Sequence, residues 1–193
     1  MSKKEILWRH ILSESLEKKV QKFTQKELAK HFSYSTSTIF NALKAPRKLG
    51  AVEVTGRYFR VRDAEKLLLL FATIRNLNKE VIYETFVDDS PRGIEGTMPP
   101  DVIFGAFSAY RLKYNEAPAD YSSVYVYSDN LSVLQKRFPK QKGSSNLFVL
   151  KPDKHLRSFG STTPDVQTFA DLWNIPQWYA KDYLNALKNK LHL

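Results

Sequence analysis

Cysteine is absent from this chain of 193 residues, which excludes disulfide bonds, thiolate zinc sites and cysteine nucleophiles together. Long apolar runs are absent as well. The longest, Leu67–Ala72, has six residues, far fewer than the roughly 18 that a membrane-spanning helix needs. The segment Met1–Ser15 carries charge throughout and lacks the apolar core of a signal peptide. We therefore expect a cytoplasmic protein without a membrane partner.

Acidic residues are scarce in the first third of the chain. Residues 1–62 hold 14 Lys and Arg against 5 Asp and Glu, a net charge of +9, whereas residues 63–193 hold 16 against 15, a net charge of +1. A basic protein can owe its charge to solubility alone. Charge concentrated in one segment instead indicates a polyanionic partner for that segment.

The basic segment predicts short helices. A first helix is expected over Lys3–Lys19, with Trp8 in the core. Thr24 and Glu27 have the spacing of a capping box, so a second helix begins there and runs to about Phe32. After a tight turn at Ser33 and Tyr34, a third helix begins near Ser35, which is expected to cap it.

Apolar and small residues fall where a helix-turn-helix motif needs them, at Leu28, Ala29, Phe32, Tyr34, Ile39 and Ala42. Two positions depart from that pattern. Ser33 stands where the turn usually has Gly, and Pro46 is expected to interrupt the helix. Beyond Gly50, two β-like runs, Ala51–Thr55 and Tyr58–Arg62, predict a hairpin. The order of elements predicts a winged helix-turn-helix; the alternative is an ordinary helical hairpin followed by a β-turn.

The helix after the turn is the candidate for the major groove of duplex DNA. Hydroxyls in its first turn can cap backbone N–H groups or donate to phosphates. An Asn can bond adenine bidentately, and a Lys can reach phosphate or guanine. The hairpin offers two Arg for the minor groove or the backbone, although solvated surface positions are the alternative. The predicted DNA-binding residues are Thr36, Ser37, Thr38, Asn41, Lys44, Arg57 and Arg60.

The remainder predicts a second domain of α+β class, so that residues 1–75 bind DNA and residues 76–193 regulate. A helix capped by Asp63 is expected to reach Leu77. Residues 88–100, with three Pro and two Gly, are expected to lack regular structure. Strands are predicted at 80–87, 123–127 and 146–151. Helices are predicted at 131–138, around 166–173 and from Pro176 onward, and an apolar run at 102–112 is predicted to turn into a helix.

Two short motifs of the second domain are Gly105-Ala106-Phe107-Ser108-Ala109 and Thr163–Leu172 (TPDVQTFADL). With the winged helix in front, they resemble the AbiEi-type antitoxin and transcriptional-regulator family, over nearly the whole chain in order of elements. The resemblance implies a C-terminal domain like a degenerate nucleotidyltransferase. It also implies a repressor that autoregulates a type IV toxin-antitoxin operon, with promoter DNA and a nucleotidyltransferase-like toxin as partners.

The fold analogy raises an enzymatic alternative. Nucleotidyltransferases hold two Mg²⁺ ions with an Asp-x-Asp pair on a strand, because phosphoryl transfer needs paired carboxylates. The corresponding strand carries Tyr125 and Tyr127, and Asp120 and Asp129 lie outside it. The four His are isolated in the sequence. We expect a monomeric or homodimeric binding protein with no enzymatic activity and no cofactor; the alternative is a nucleotidyltransferase-like enzyme or an RNA-binding module.

Aromatic residues crowd the C-terminal helices, where Trp173, Trp178, Tyr179 and Tyr183 fall within eleven residues. Some of them are expected in the core. The surplus is predicted to form a protein-contact surface, because aromatic side chains are favoured as anchors of interfaces.

Overall fold

The computed structural model describes all 193 residues and has an α+β architecture with nine α-helices and two small sheets. The helices are α1 (Lys3–Leu16), α2 (Gln25–Phe32), α3 (Thr36–Lys48), α4 (Ala64–Ile74), α5 (Pro91–Gly96), α6 (Ala106–Tyr114), α7 (Leu131–Arg137), α8 (Asp165–Trp173) and α9 (Ala180–Leu191). The strands are β1 (Val52–Val54), β2 (Phe59–Val61), β3 (Val81–Thr85), β4 (Ile103–Gly105), β5 (Val124–Tyr127) and β6 (Leu147–Leu150).

The residues form two compact units. The first unit comprises Met1–Arg75 and Asn189–Leu193, and the second comprises Asn76–Lys188. None of the helices is long and apolar enough to cross a bilayer.

Side-chain caps start the helices of the first unit. The Thr24 hydroxyl accepts from the Glu27 N–H at 3.1 Å, and the Ser35 hydroxyl accepts from the Thr38 N–H at 3.2 Å. These contacts confirm the predicted starts of α2 and α3. The Thr24 cap is not the full predicted box, because the Glu27 carboxylate accepts from the Thr24 hydroxyl, at 2.8 Å, instead of from its backbone N–H.

The core of the first unit lies between α1, α2 and α3. It contains Trp8, as predicted, with Leu12, Phe32, Ile39 and Leu43, all at most 2% exposed. Two of the predicted helices are too long, because α1 ends at Leu16 and α4 at Ile74.

The helix α3 continues through Pro46 to Lys48, so the prediction that this proline interrupts the helix is wrong. Proline has no N–H and leaves the carbonyl four residues earlier, that of Ala42, without its helical donor. The indole Nε1–H of Trp8 donates to that carbonyl at 2.9 Å. A side chain 34 residues away therefore supplies the missing hydrogen bond, and the helix stays intact.

The hairpin of the first unit pairs β1 and β2 antiparallel, with Val52 opposite Val61 and Val54 opposite Phe59. Paired residues share a face of the hairpin. On this face Val52 and Phe59 are buried in the core, as the alternating pattern predicts, while Val54 and Val61 are half-buried. Phe59 also exchanges two backbone hydrogen bonds with Phe23, at 2.8 and 2.9 Å, which ties the segment between α1 and α2 to the hairpin.

The second unit is built on a four-stranded mixed sheet in the order β3-β6-β5-β4. Only β5 and β6 are parallel, and α7 lies in the connection between them. One face carries an apolar cluster around Val124, Val126 and Val149, to which α5 contributes Ile94 and α7 contributes Leu134. On the opposite face the aromatic ring of Phe107, from α6, lies 5.0 Å from that of Tyr183, from α9, and 6.4 Å from that of Tyr125, from β5.

Two predictions for the second unit are wrong. Residues 88–100 contain α5, because Ser90 accepts from the Gly93 N–H at 3.1 Å and Pro91 occupies a first helical position, where it loses no hydrogen bond. The last helix begins at Ala180 and not at Pro176. Residues 177–179 instead precede the helix in a turn, where the Gln177 carbonyl accepts from the Ala180 N–H at 3.0 Å, and the Tyr179 hydroxyl is held 2.9 Å from that of Ser122.

Candidate nucleic-acid interface

The turn between α2 and α3 places the two helices side by side. Ser33 has left-handed backbone angles (φ 55°, ψ 41°), the conformation for which Gly is usual at this position. The Tyr34 N–H donates to the Ala29 carbonyl at 2.9 Å and closes the turn. A non-glycine residue therefore makes the same turn at a conformational cost, and α3 follows directly.

The exposed face of α3 carries a polar and basic row, and the buried face carries the core residues Ile39, Ala42, Leu43 and Pro46. Ser37, Asn41, Lys44 and Lys48 are all exposed and follow one another at i, i+4, i+7 and i+11, so they form one stripe along the helix. No acidic residue lies in the first turn of α3. This face is therefore positively charged and free of the core.

Hydroxyl groups crowd the start of α3. The Ser35 hydroxyl lies 2.9 Å from those of Ser37 and Thr38. Thr36 and Ser37 are exposed and Thr38 is half-buried. The sequence places all four hydroxyls here, but in the free protein Ser37 and Thr38 are engaged with the capping residue, so a phosphate would have to compete with that network.

Phe40, Arg47 and Lys48 also lie on α3, although none of them was predicted to belong to the interface. The ring of Phe40 is 43% exposed, with the Lys44 ammonium 5.4 Å and the Arg47 guanidinium 6.0 Å from its centre. The sequence contains a signal for the contact between Phe40 and Lys44, since the two residues lie one helical turn apart.

The two hairpin arginines differ in their surroundings. Arg57 is exposed at the tip, where the Thr55 N–H donates to the Tyr58 carbonyl at 2.8 Å. Arg60 lies opposite Glu53 and donates to its carboxylate at 2.8 and 2.7 Å. The hydrogen bond to Glu53 raises the pKa of Arg60. Arg60 is therefore already neutralised by an ion pair within the hairpin.

Two histidines that are isolated in the sequence meet in the first unit. The rings of His10, on α1, and His31, on α2, stack at 4.8 Å, and the ring of Phe32 packs edge-on against both. Burial, followed by the electrostatic effect of the neighbouring His31, lowers the pKa of His10 to about 4. In no part of the chain are three or more His, Asp or Glu side chains grouped so as to hold a metal ion.

The buried acidic residues of the second unit are paired with donors. Asp171 accepts from the Tyr127 hydroxyl at 2.5 Å. Asp165 accepts from Lys113 and from the Tyr114 hydroxyl, both at 2.7 Å. Tyr127 is thus the partner of a carboxylate from α8, at a position where the nucleotidyltransferase pattern would have an Asp.

Tyr125, at the other such position, is buried and stacks on Phe148 at 4.7 Å. Burial raises the pKa of Tyr125 far above its ordinary value. Asp120 and Asp129 are exposed, and Asp129 accepts from Arg157 at 3.2 Å. The exposed carboxylates thus lie outside β5, and the two alternate positions of the strand hold phenols.

The predicted aromatic surplus on the C-terminal helices divides into two groups. Tyr179 and Tyr183 are buried, whereas Trp173 is 46% exposed and Trp178 is 80% exposed. Trp178 thus presents most of its indole to solvent, with its ring 5.7 Å from that of Tyr179.

Comparison with known proteins finds no protein-family model, no curated protein and no solved structure that matches the chain.

Proposed function

We propose that the first unit is a winged helix-turn-helix that binds double-stranded DNA, with α3 in the major groove and the hairpin as the wing. The observation that carries this proposal is the exposed stripe of α3, in which Ser37, Asn41, Lys44 and Lys48 follow one another on a face that contributes nothing to the core. An α-helix fits the major groove, and amide and ammonium groups are the donors that read bases and bind phosphates there.

Charge and topology support the same proposal. Residues 1–62 hold nearly all of the net charge, +9 of +10. Three helices precede the hairpin, and a bridge from Phe23 to Phe59 joins the hairpin to the segment between α1 and α2. This bridge holds the hairpin, with Arg57 at its tip, in the same compact unit as α3.

The test is the salt dependence of binding by the full chain. Fluorescence anisotropy with a labelled duplex should give an affinity that falls linearly in a log–log plot as salt rises. The double variant Lys44→Ala, Lys48→Ala should lower that slope by about 2, since each lost phosphate contact removes roughly 0.9. The control variant Lys142→Ala, Lys154→Ala changes two exposed lysines of the second unit and should keep the slope.

Two results would contradict the proposal. One is the absence of binding at low salt. The other is an equal change of slope in the two double variants, because binding would then follow the total charge and not α3.

We further propose that the protein is a transcriptional repressor and antitoxin whose second unit acts by contact with a nucleotidyltransferase-like toxin. This proposal rests on the motifs Gly105–Ala109 and Thr163–Leu172, which resemble those of the AbiEi-type antitoxin and transcriptional-regulator family. The observation that supports a contact surface is the 80% exposure of Trp178, since exposed aromatic side chains are the residues that anchor protein interfaces.

This second proposal is tested by coexpression with a nucleotidyltransferase-like toxin. Trp178→Ala should abolish the rescue of growth while DNA binding is kept. Val133→Ala truncates another exposed apolar residue of the second unit, 40% exposed on α7, and should rescue as the wild type does. Full rescue by Trp178→Ala would place the contact elsewhere.

A further inference from the structure

Phe40 is an aromatic residue on a face of α3 that is otherwise polar or charged. Its ring is 43% exposed, and the core of the first unit does not need it, because Ile39 and Leu43 fill the buried side of the helix. A single exposed apolar residue is ordinary on a protein surface. Phe40, however, lies directly beside Asn41 and one helical turn before Lys44, so it belongs to the face that is proposed to meet DNA.

The two cations beside the ring define its surroundings. The Lys44 ammonium lies 5.4 Å and the Arg47 guanidinium 6.0 Å from the ring centre, so both side chains are held against an aromatic face. Lysine and arginine on such a helix bind phosphate oxygens at the walls of the groove. Phe40 is therefore an apolar group between positive charges, on a surface whose partner is a polyanion.

Duplex DNA offers one apolar group to such a side chain in the major groove. The edges of G, C and A present hydrogen-bond donors and acceptors there, whereas T presents its C5-methyl group beside an acceptor. An aromatic ring without a polar atom cannot satisfy a donor or an acceptor, but it can bury a methyl group.

We infer that Phe40 reads the C5-methyl group of a thymine in the major groove. This inference rests on the proposed function of α3 and adds the chemical class of the base that is read. The binding site on DNA then contains at least one thymine whose methyl group contributes to affinity, at a base pair next to the one that Asn41 contacts.

The experiment uses the full chain and a duplex selected from a random library at fixed salt. Each thymine of the selected duplex is replaced in turn by deoxyuridine, which differs only by the missing methyl group. The wild type should lose affinity about four-fold at one position, as expected for one buried methyl-sized group.

Two variants make the assignment specific. Phe40→Ser keeps a similar helix propensity and should bind the thymine and the deoxyuridine duplexes equally. Leu49→Ser alters the 48% exposed residue at the end of the same helix and should keep the preference for thymine.

The results separate the inference from the function beneath it. Duplex binding without an effect of deoxyuridine at any position, or an undiminished effect in Phe40→Ser, would overturn the inference and leave duplex binding standing. Failure to bind any duplex at low salt would overturn the proposed function and the inference with it. Tighter binding to single-stranded DNA than to duplex would also overturn the inference, since Phe40 would then stack on exposed bases.

Discussion

The carbonyl of Ala42 shows how one residue can decide whether α3 is continuous. Pro46 removes the helical donor for this carbonyl, and a buried carbonyl without a donor costs on the order of 1–3 kcal/mol. The Trp8 indole donates to it at 2.9 Å. Trp8 therefore has two roles, since it fills the core and completes the hydrogen bonding of the helix that is proposed to read DNA.

This pairing predicts a dependence between two substitutions. Trp8→Phe keeps an aromatic ring but removes the donor, and should lower the free energy of unfolding by about 2–4 kcal/mol. In a Pro46→Ala background the backbone N–H of residue 46 can donate to the Ala42 carbonyl, so the same change should cost about 1 kcal/mol less. Urea denaturation of the four proteins measures this coupling. Equal costs in the two backgrounds would show that the indole contributes only by its size.

His10 predicts a pH dependence of stability. Its pKa is about 4 in the folded protein and 6.5 in the unfolded chain, so the unfolded state takes up a proton first as the pH falls. The stability that comes from neutral His10 is complete above pH 6.5 and is lost between 6.5 and about 4. Because the ring is only half-buried, we expect a loss on the order of 1–2 kcal/mol.

The measurement compares urea denaturation at pH 7 and near pH 4.5 for the wild type and His10→Gln. The variant cannot take up the proton and should show a smaller decrease. The control, His192→Gln, alters an exposed histidine near the C-terminus and should decrease as the wild type does. A decrease that His10→Gln leaves unchanged would assign the pH dependence to other groups.

At the scale of elements, most helix starts and three of the strands could be predicted from local patterns in the sequence. The helix starts capped by Thr24, Ser35 and Asp63 follow from hydrogen bonds that span three residues, all present in the sequence pattern. The strands β3, β5 and β6 follow from runs of β-branched and aromatic residues. The helix α5 was missed because Pro and Gly were counted as breakers, although Ser90 and Pro91 stand in the order that begins a helix.

At the candidate site, likewise, local spacing predicts some features, whereas others depend on contacts between distant parts of the chain. The exposed polar stripe of α3 follows from helical spacing alone, so Ser37, Asn41 and Lys44 could be placed on one helix from the sequence. The ion pair of Arg60 with Glu53 could not be inferred without the register of the hairpin. The contact of His10 with His31 likewise needs the packing of α1 on α2.

If α3 lies in the major groove as proposed, Asn41 in its exposed stripe is the residue expected to read a base. Asn41→Ala should weaken binding to the selected DNA site by roughly 1–3 kcal/mol and flatten the preference at one base pair, because the bidentate contact to adenine is lost. The exposed Asn185, on α9, is the matched control when replaced by Ala. Footprinting of the selected site measures the effect. An unchanged footprint and preference would mean that another face of α3 meets the bases.

The hairpin predicts unequal effects of its two arginines. Arg57→Ala should weaken binding to all sequences and lower the salt slope by about 1, because an exposed side chain at the tip of the proposed wing is expected to meet the backbone or the minor groove. Arg60→Ala should have a smaller effect, since Glu53 already neutralises Arg60 in the free protein. Arg92→Ala, at an exposed position of the second unit, is the control. Equal losses for Arg57 and Arg60 would mean that DNA displaces Glu53.

For the whole molecule, charge and chemistry are divided between the two units. The first unit carries the positive charge, with little to neutralise it on α3. The second unit is nearly neutral. Its buried carboxylates Asp165 and Asp171 accept hydrogen bonds from lysine and tyrosine side chains of the same unit. This division is compatible with the proposal that each unit binds a different partner.

The last prediction is that the protein transfers no nucleotide. Two-metal catalysis needs carboxylates that converge on two cations about 4 Å apart, whereas the alternate positions of β5 hold the buried phenols Tyr125 and Tyr127. The full chain, incubated with each labelled nucleoside triphosphate and Mg²⁺ or Mn²⁺, should give no labelled nucleic acid or protein. Asp120→Asn and Asp129→Asn change the acids on either side of β5 and should behave as the wild type does. Metal-dependent transfer that either variant abolishes would overturn this prediction and favour the enzyme, because a carboxylate outside the strand would then have to supply the metal site.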